Sequence, residues 1–168
     1  MKFVAISDTH GRHNSLVLPE GDVLLHAGDI SRKGDKAEIR EFMGWFKRQP
    51  FKYKVMIAGN HDFFFEKYSV YDVQAEIPDE VIYLNDSGCE IEGIRIWGSP
   101  IQPWFFDWAF NRKRGEEIRK HWALIPENTD ILITHGPPYG ILDKVVRDNS
   151  PVGCRDLLKK VQEIQPKY

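Results

Sequence analysis

Four short apolar runs, each closed by Gly, Asp, Asn or His, constrain this chain more than any other feature. Phe3-Val4-Ala5-Ile6 leads into Asp8-Thr9-His10, and Val23-Leu24-Leu25 into Gly28-Asp29. Val55-Met56-Ile57-Ala58 leads into Gly59-Asn60-His61-Asp62, and Ile131-Leu132-Ile133 into Thr134-His135-Gly136. Apolar runs of this length bounded by turn residues read as strands. The carboxyl ends of several strands are where one fold can bring polar side chains from distant parts of a sequence to one point. Gly11, Gly28, Gly59 and Gly136 flank the polar positions, as tight turns there require.

Between these strands the pattern changes period. Asp35-Lys36-Ala37-Glu38 fits a capping box, and Ile39, Phe42, Met43 and Phe46 then recur at helical spacing until Pro50. Residues 63 to 78 read as a loop with a short helix, and Val81 to Leu84 as a strand. Cys89 to Trp97 alternates around Gly93, which predicts a tight hairpin. Residues 115 to 123 read as a helix and Asp130 to Thr134 as a strand. Ser150-Pro151 is a suitable N-cap and first-turn pair for a last helix, whose stripe is Cys154, Leu157, Leu158, Val161 and Ile164. Strands, a hairpin and peripheral helices make an α/β layered fold, with no linker or repeat to divide residues 1–168 into more than one domain.

Composition narrows the setting. A formal net charge of −2 gives no bulk attraction to nucleic acid or anionic membranes. The two cysteines, Cys89 and Cys154, form no CxxC pair or disulfide framework, which favours a reduced, cytoplasmic setting. No apolar stretch approaches the roughly 20 residues that cross a bilayer, and the first residues do not read as a signal peptide.

The polar clusters carry the chemistry. Carboxylate, imidazole and amide oxygen suit Mn2+, Fe2+, Zn2+, Co2+ or Ni2+, and no thiolate belongs to any cluster. In an extended segment Asp8 and His10 point to the same side and can clasp one ion. The two oxygens of Asp29 suit a bridge between ions about 3.5–4 Å apart. Asn60 offers a neutral oxygen, and His135 a ring nitrogen, to the second ion. Each cluster alone has a plainer explanation as a cap, a βα turn, an Asx turn or a strand end. Four such coincidences in this order, all at strand ends, outweigh those explanations.

The same residues resemble the calcineurin-like metallophosphoesterase pattern. Ile6-Ser7-Asp8-Thr9-His10, Leu24-Leu25-His26-Ala27-Gly28-Asp29, Ile57-Ala58-Gly59-Asn60-His61 and Thr134-His135-Gly136-Pro137-Pro138 are similar to its metallophosphoesterase-domain-containing branch. Gly98-Ser99-Pro100, Trp104-Phe105 and Ala109-Phe110-Asn111 extend the resemblance along nearly the whole chain. It implies an α/β sandwich of two mixed β-sheets flanked by helices. It also implies a first metal on Asp8, His10 and Asp29, and a second on Asp29, Asn60 and His135. His61 would face the scissile phosphate as general acid or charge stabiliser, with Asp62 orienting its imidazole. A water activated between two divalent cations would attack phosphorus. The implied substrates are phosphodiesters or nucleotides, with cyclic nucleotides suggested by the branch. The alternatives are a nucleotide- or metal-binding module of the same fold without turnover and, more weakly, a protein phosphatase.

One departure accompanies the resemblance. The family's closing Gly-His-x-His motif does not occur, and the chain reads Gln165-Pro166-Lys167-Tyr168 where that region would begin. The expectation is therefore a C-terminally truncated domain with three nominal ligands per metal, Asp29 counted twice. It would lack its terminal strands and leave a sheet edge open to self-association. Elsewhere, His26 reads as a hydrogen-bonded core histidine and His121 as structural. His13 and Arg12 read as a solvated loop, with phosphate contact as the alternative. The aromatic run Trp104, Phe105, Phe106, Trp108 and Phe110 reads as loop packing before nucleobase stacking.

Overall fold

Along Val23–Ala27 successive side chains point to opposite faces, and this alternation lays out the molecule. Val23 and Leu25 enter one apolar cluster, Leu24 the other. In the computed structural model, which describes residues 1–168, this segment is β2, beside β1 (Phe3–Ile6). α1 (Lys36–Lys47) crosses to β3 (Tyr53–Ile57), and α2 (Phe64–Lys67) and α3 (Val70–Glu76) lead to β4 (Val81–Tyr83). These four strands form one sheet in the order β1-β2-β3-β4, all parallel.

The hairpin follows as β5 (Ser87–Ile91) and β6 (Ile94–Ser99). It turns at Glu92 and Gly93, whose φ values of 48° and 81° are the left-handed pair that a two-residue turn needs. β7 (Gln102–Pro103) and β8 (Asn111–Arg112) make a small parallel ribbon. α4 (Glu116–Trp122), β9 (Ile131–Thr134) and α5 (Arg155–Ile164) complete the fold. β9 pairs parallel with β6, so the second sheet, ordered β5-β6-β9, is mixed.

The two sheets face each other across Val23, Leu25, Val55, Ile57, Leu84, Ile91, Ile96, Ile131 and Ile133. Helices cover the outer faces, as an α/β sandwich requires. α1 buries Ile39, Phe42, Met43, Trp45 and Phe46, each contributing roughly 1.5–3 kcal/mol of burial. On the other side α4 and α5 bury Ile118, Trp122, Leu157 and Ile164. No helix is long and apolar enough to cross a membrane.

Three local expectations change. The α1 cap is Asp35, which accepts from Ala37 and Glu38 N–H, but Glu38 reaches past it to Arg32 and Lys33 N–H instead of closing the box. Residues 63 to 78 hold two short helices rather than one. α5 starts at Arg155 with the Cys154 thiol as its cap, not at Ser150-Pro151. Ser150 instead donates its backbone N–H and hydroxyl to the Asp148 carboxylate, and Pro151 bridges Lys144. The open edge of β9 is partly taken as well. Lys167 and Tyr168 N–H donate to Asp130 O, and Leu132 N–H donates to Tyr168 O.

Candidate metal centre

Because β1, β2 and β3 run parallel and β9 runs parallel to β6, their carboxyl ends carry Asp8, Asp29, Asn60 and His135. The loops are tied to one another by main chain. Asp8 N–H donates to Gly28 O at 2.9 Å, His10 N–H to Asp29 O at 3.0 Å and Gly11 N–H to Ile30 O at 3.0 Å. These bonds hold Asp8, His10 and Asp29 at φ of 54°, 43° and 57°. Left-handed backbone at non-glycine residues costs on the order of 1–3 kcal/mol each and persists where the surroundings over-determine it. The backbone from Asp8 to His10 is therefore not extended, as the spacing argument assumed. A left-handed turn brings the two side chains to 4.0 Å (His10 Nε2 to Asp8 Oδ1).

Asp29 is the centre of the cluster. Its Oδ1 accepts from His61 N–H at 2.9 Å and lies 3.4 Å from His135 Nε2. Its Oδ2 lies 3.6 Å from His10 Nε2 and 4.0 Å from His61 Nε2. All three imidazoles are held in the same way. Nδ1 of His10, His61 and His135 bonds the carbonyls of Ser31 (3.1 Å), Arg32 (2.8 Å) and Ala27 (2.9 Å). A carbonyl partner fixes the proton on Nδ1 and leaves Nε2 facing inward, the arrangement of a metal-ligating histidine. His135 Nε2 also meets Asn60 Oδ1 at 3.0 Å.

Two donor groups result, His10 with Asp29 and His61, and Asp8 with Asp29 and His135. They share Asp29 but divide the remaining residues differently from the resemblance, which paired Asp8 with His10 and left His61 off the metals. The donor set fits divalent cations. Gly59 shows how closely it is gathered, since a Cβ there would collide with the Asp29 carboxylate and sit 2.7 Å from His135 Cε1.

Electrostatics follow the same geometry. Burial opposes ionisation of Asp29, but the His135 hydrogen bond and charge and the His61 N–H hold its pKa below the usual carboxylate range. Burial also disfavours charge on His135, yet Asp29 and the Ala27 carbonyl raise its pKa to about 9. Without a cation, an imidazolium supplies the positive charge, and metal binding there must displace its proton.

Asp62 differs most from expectation. Its carboxylate, fully buried, does not touch the His61 ring. It accepts from Ile30 N–H (3.1 Å), Ser31 N–H (3.0 Å), Ser31 hydroxyl (2.6 Å) and Gly59 N–H (2.8 Å). It joins the loop after β2 to the loop after β3, and so acts on His61 only through the backbone. Burial raises its pKa and the neighbouring Asp29 charge adds to the rise, while the Ser31 hydroxyl and the Gly59 and Ser31 N–H groups oppose it.

His26 is a core histidine. It lies beneath both first loops, with Nε2 at 3.1 Å from Thr9 Oγ1 and Nδ1 accepting from Gly28 N–H at 3.2 Å. His13 is 1% exposed, against Phe42 and Trp45, not in a solvated loop. His121 bridges the Asp86 carboxylate and Arg112. Sequence reasoning passed over Arg32, whose carbonyl holds His61 and whose Nε donates to His10 O at 3.0 Å. Arg32 and Arg12 line a cavity of about 450 Å³ with Asp8, Thr9, His10 and His61. Trp108 packs its ring on His61 with centroids 4.1 Å apart.

The family model described as calcineurin-like phosphoesterase matches residues 1–165. The chain belongs to that family. It is 43% identical over 188 residues to human metallophosphoesterase domain-containing protein 1, covering 99% of this chain and 58% of the relative. It is 38% identical over 183 residues to the Caenorhabditis elegans UPF0046 protein K07C11.7, covering 100% of this chain and 61% of that one. The chain thus spans about three fifths of the length of these relatives. A solved structure only 16% identical superposes over 98% of this chain and 80% of its own with a TM-score of 0.63, which supports the fold.

Proposed function

We propose that this calcineurin-like domain hydrolyses phosphodiesters, with cyclic nucleotides as the substrate class, using two divalent cations. The observation that carries the reading is the division of Asp29, one oxygen toward His135 and the other toward His10 and His61. Asp8, His10, Asp29, Asn60 and His135 would hold the cations. Bound there, divalent cations supply Lewis-acid stabilisation of phosphoryl charge and acidify water.

The chain's own groups do the rest. Main-chain tethers on the three Nδ1 atoms keep the rings from turning as charge develops, so little reorganisation accompanies the reaction. Arg12 and Arg32, on the cavity wall, offset the charge of an incoming phosphate. His61, its Nδ1 held on the Arg32 carbonyl, serves the leaving oxygen as general acid or charge stabiliser. Trp108 and that carbonyl hold the ring in place for either role.

The test is turnover of bis-p-nitrophenyl phosphate with added Mn2+, Fe2+, Zn2+, Co2+ or Ni2+. Metal-dependent hydrolysis lost in Asp29→Asn is expected. Cation binding with no hydrolysis under any of these ions would replace the enzyme with a metal-binding module.

A further inference from the structure

The segment between β7 and β8 and the loop after β9 lie side by side, since Trp104 and Phe105 of one and Val145 and Val152 of the other line a single cavity. Loop packing buries Phe110 and sets the half-buried Trp108 ring on His61. It leaves Trp104, Phe105 and Phe106 57%, 57% and 68% exposed. On the second loop Leu142 and Val146 are uncovered almost completely, at 98% and 104%. Apolar side chains gathered in this way mark an interaction surface.

Both main chains are nonetheless fixed. The buried Asn111 amide donates to Phe105 O (3.2 Å) and Phe106 O (2.7 Å). In the second loop Val145 N–H donates to Ser150 O (2.9 Å) and Asn149 N–H to Val145 O (2.8 Å), which closes a tight turn around Val146. The buried Asp143 carboxylate anchors that loop, accepting from Gly140 N–H (2.8 Å) and Gly153 N–H (3.2 Å). Held backbone thus presents apolar side chains with little of their own protein around them. A protein partner would need a separate complementary pocket for each, whereas the fluid boundary of a bilayer closes around all of them.

The neighbouring cations suit the phosphates of such a boundary. Lys144 and Arg147 flank Val145 and Val146 and are exposed. Arg114 lines the shared cavity and also a second one of about 370 Å³, where the Arg155 guanidinium lies 3.7 Å over the Tyr139 ring. Val152 O and Gly153 O, each at 2.7 Å, orient Arg114 and take two of its five donors. The acidic groups nearby are mostly engaged. Asp148 accepts from Ser150 N–H and hydroxyl, and Asp156 from Gly115 N–H and Arg119. Asp107 is the exposed exception. The net charge of −2 gives no bulk attraction to an anionic membrane, but this face carries a local excess of positive charge.

We infer that these two loops dock the chain on an anionic phospholipid surface. Trp104, Phe105, Phe106, Leu142 and Val146 enter the boundary between headgroups and acyl chains, and Arg114, Lys144, Arg147 and Arg155 meet lipid phosphates. The test is co-sedimentation of the metal-free chain with vesicles of phosphatidylcholine alone or of equal parts phosphatidylcholine and phosphatidylserine. Binding to the anionic vesicles, weakened by added salt, is expected. Leu142→Asn with Val146→Ser, at positions that pack against nothing, should weaken it at least about tenfold. Arg155→Gln should weaken it about fivefold, the scale of one cation at an anionic surface. No binding, equal binding to both vesicles, or affinity unchanged in both variants would overturn the assignment. Self-association in solution that Leu142→Asn with Val146→Ser abolishes, with no vesicle binding, would replace the membrane with a second copy of the chain.

Discussion

Asp62→Asn separates bracing of the metal loops from direct action on His61. The amide keeps the shape of the carboxylate but must turn its NH2 toward two donors, Ile30 and Gly59 N–H in one orientation or the Ser31 N–H and hydroxyl in the other. Hydrogen bonds to a charged group contribute about 1.5–3 kcal/mol each, so losing two costs about 3–6 kcal/mol. The Ser31 hydroxyl can rotate to accept, and removing a buried charge recovers part of the loss. The lower end, about 3 kcal/mol, is therefore expected. For a chain of 168 residues this corresponds to a Tm about 6–12 °C lower. Thermal unfolding followed by circular dichroism in chelator measures it without a metal contribution. The linked loops carry Asp29 and Asn60, so metal affinity should fall as well. A Tm within about 2 °C of the parent would refute the bracing role and return Asp62 to the catalytic histidine.

Three further outcomes follow from the same geometry. Gly59→Ala sets a methyl against Asp29 and His135, and titration calorimetry should show metal affinity at least about tenfold weaker, with an unfolding cost of about 1–3 kcal/mol; unchanged affinity would contradict the crowding. Burial holds the His26 pKa near 3 in the folded chain, well below the unfolded value of 6.5. The unfolded chain therefore takes up a proton that the folded one refuses, so this contribution is complete above pH 6.5 and is lost toward pH 3. The loss approaches about 1.4 kcal/mol per pH unit below the unfolded value, and His13, also lowered by burial, adds the same sign. His135, whose pKa is raised, acts in the opposite sense. The check is therefore denaturant unfolding of the metal-free parent against His26→Gln between pH 7 and 5: the parent should lose more stability as pH falls, and parallel profiles would contradict the contribution. Trp108→Leu removes the ring against His61 and should lower kcat on diesters about two- to tenfold with little change in Tm, whereas an unaltered kcat would deny Trp108 a positioning role.

The strands and the ligand types were legible because both signals are local. An apolar run such as Val55 to Ala58 needs only its own neighbours to read as a strand, and the residues closing it announce their donor atoms. Conformation at the ligands was not legible. The left-handed turn at Asp8 and His10 is held by carbonyls of Gly28 and Asp29, which the local sequence does not contain. Asp62 shows the same difficulty: its position beside His61 suggested a partner for the ring, yet its donors come mainly from Ile30 and Ser31. Arg32 acts largely through its carbonyl, which any residue could supply, and its only signal was proximity to Asp29. His13, set among Arg12, Asn14 and Ser15, looked solvated because nothing near it predicts the Phe42 and Trp45 rings. Ser150-Pro151 is a sound helix start in isolation, and the Asp148 carboxylate overrides it.

Anomalous diffraction from crystals grown with Mn2+ tests the central claim most directly. Two peaks about 3.5–4 Å apart, one at each oxygen of Asp29, are the predicted result. The His135 Nε2 should lie against one and the His10 Nε2 against the other. A map with no peak at Asp29, or with manganese only elsewhere on the chain, would contradict the account.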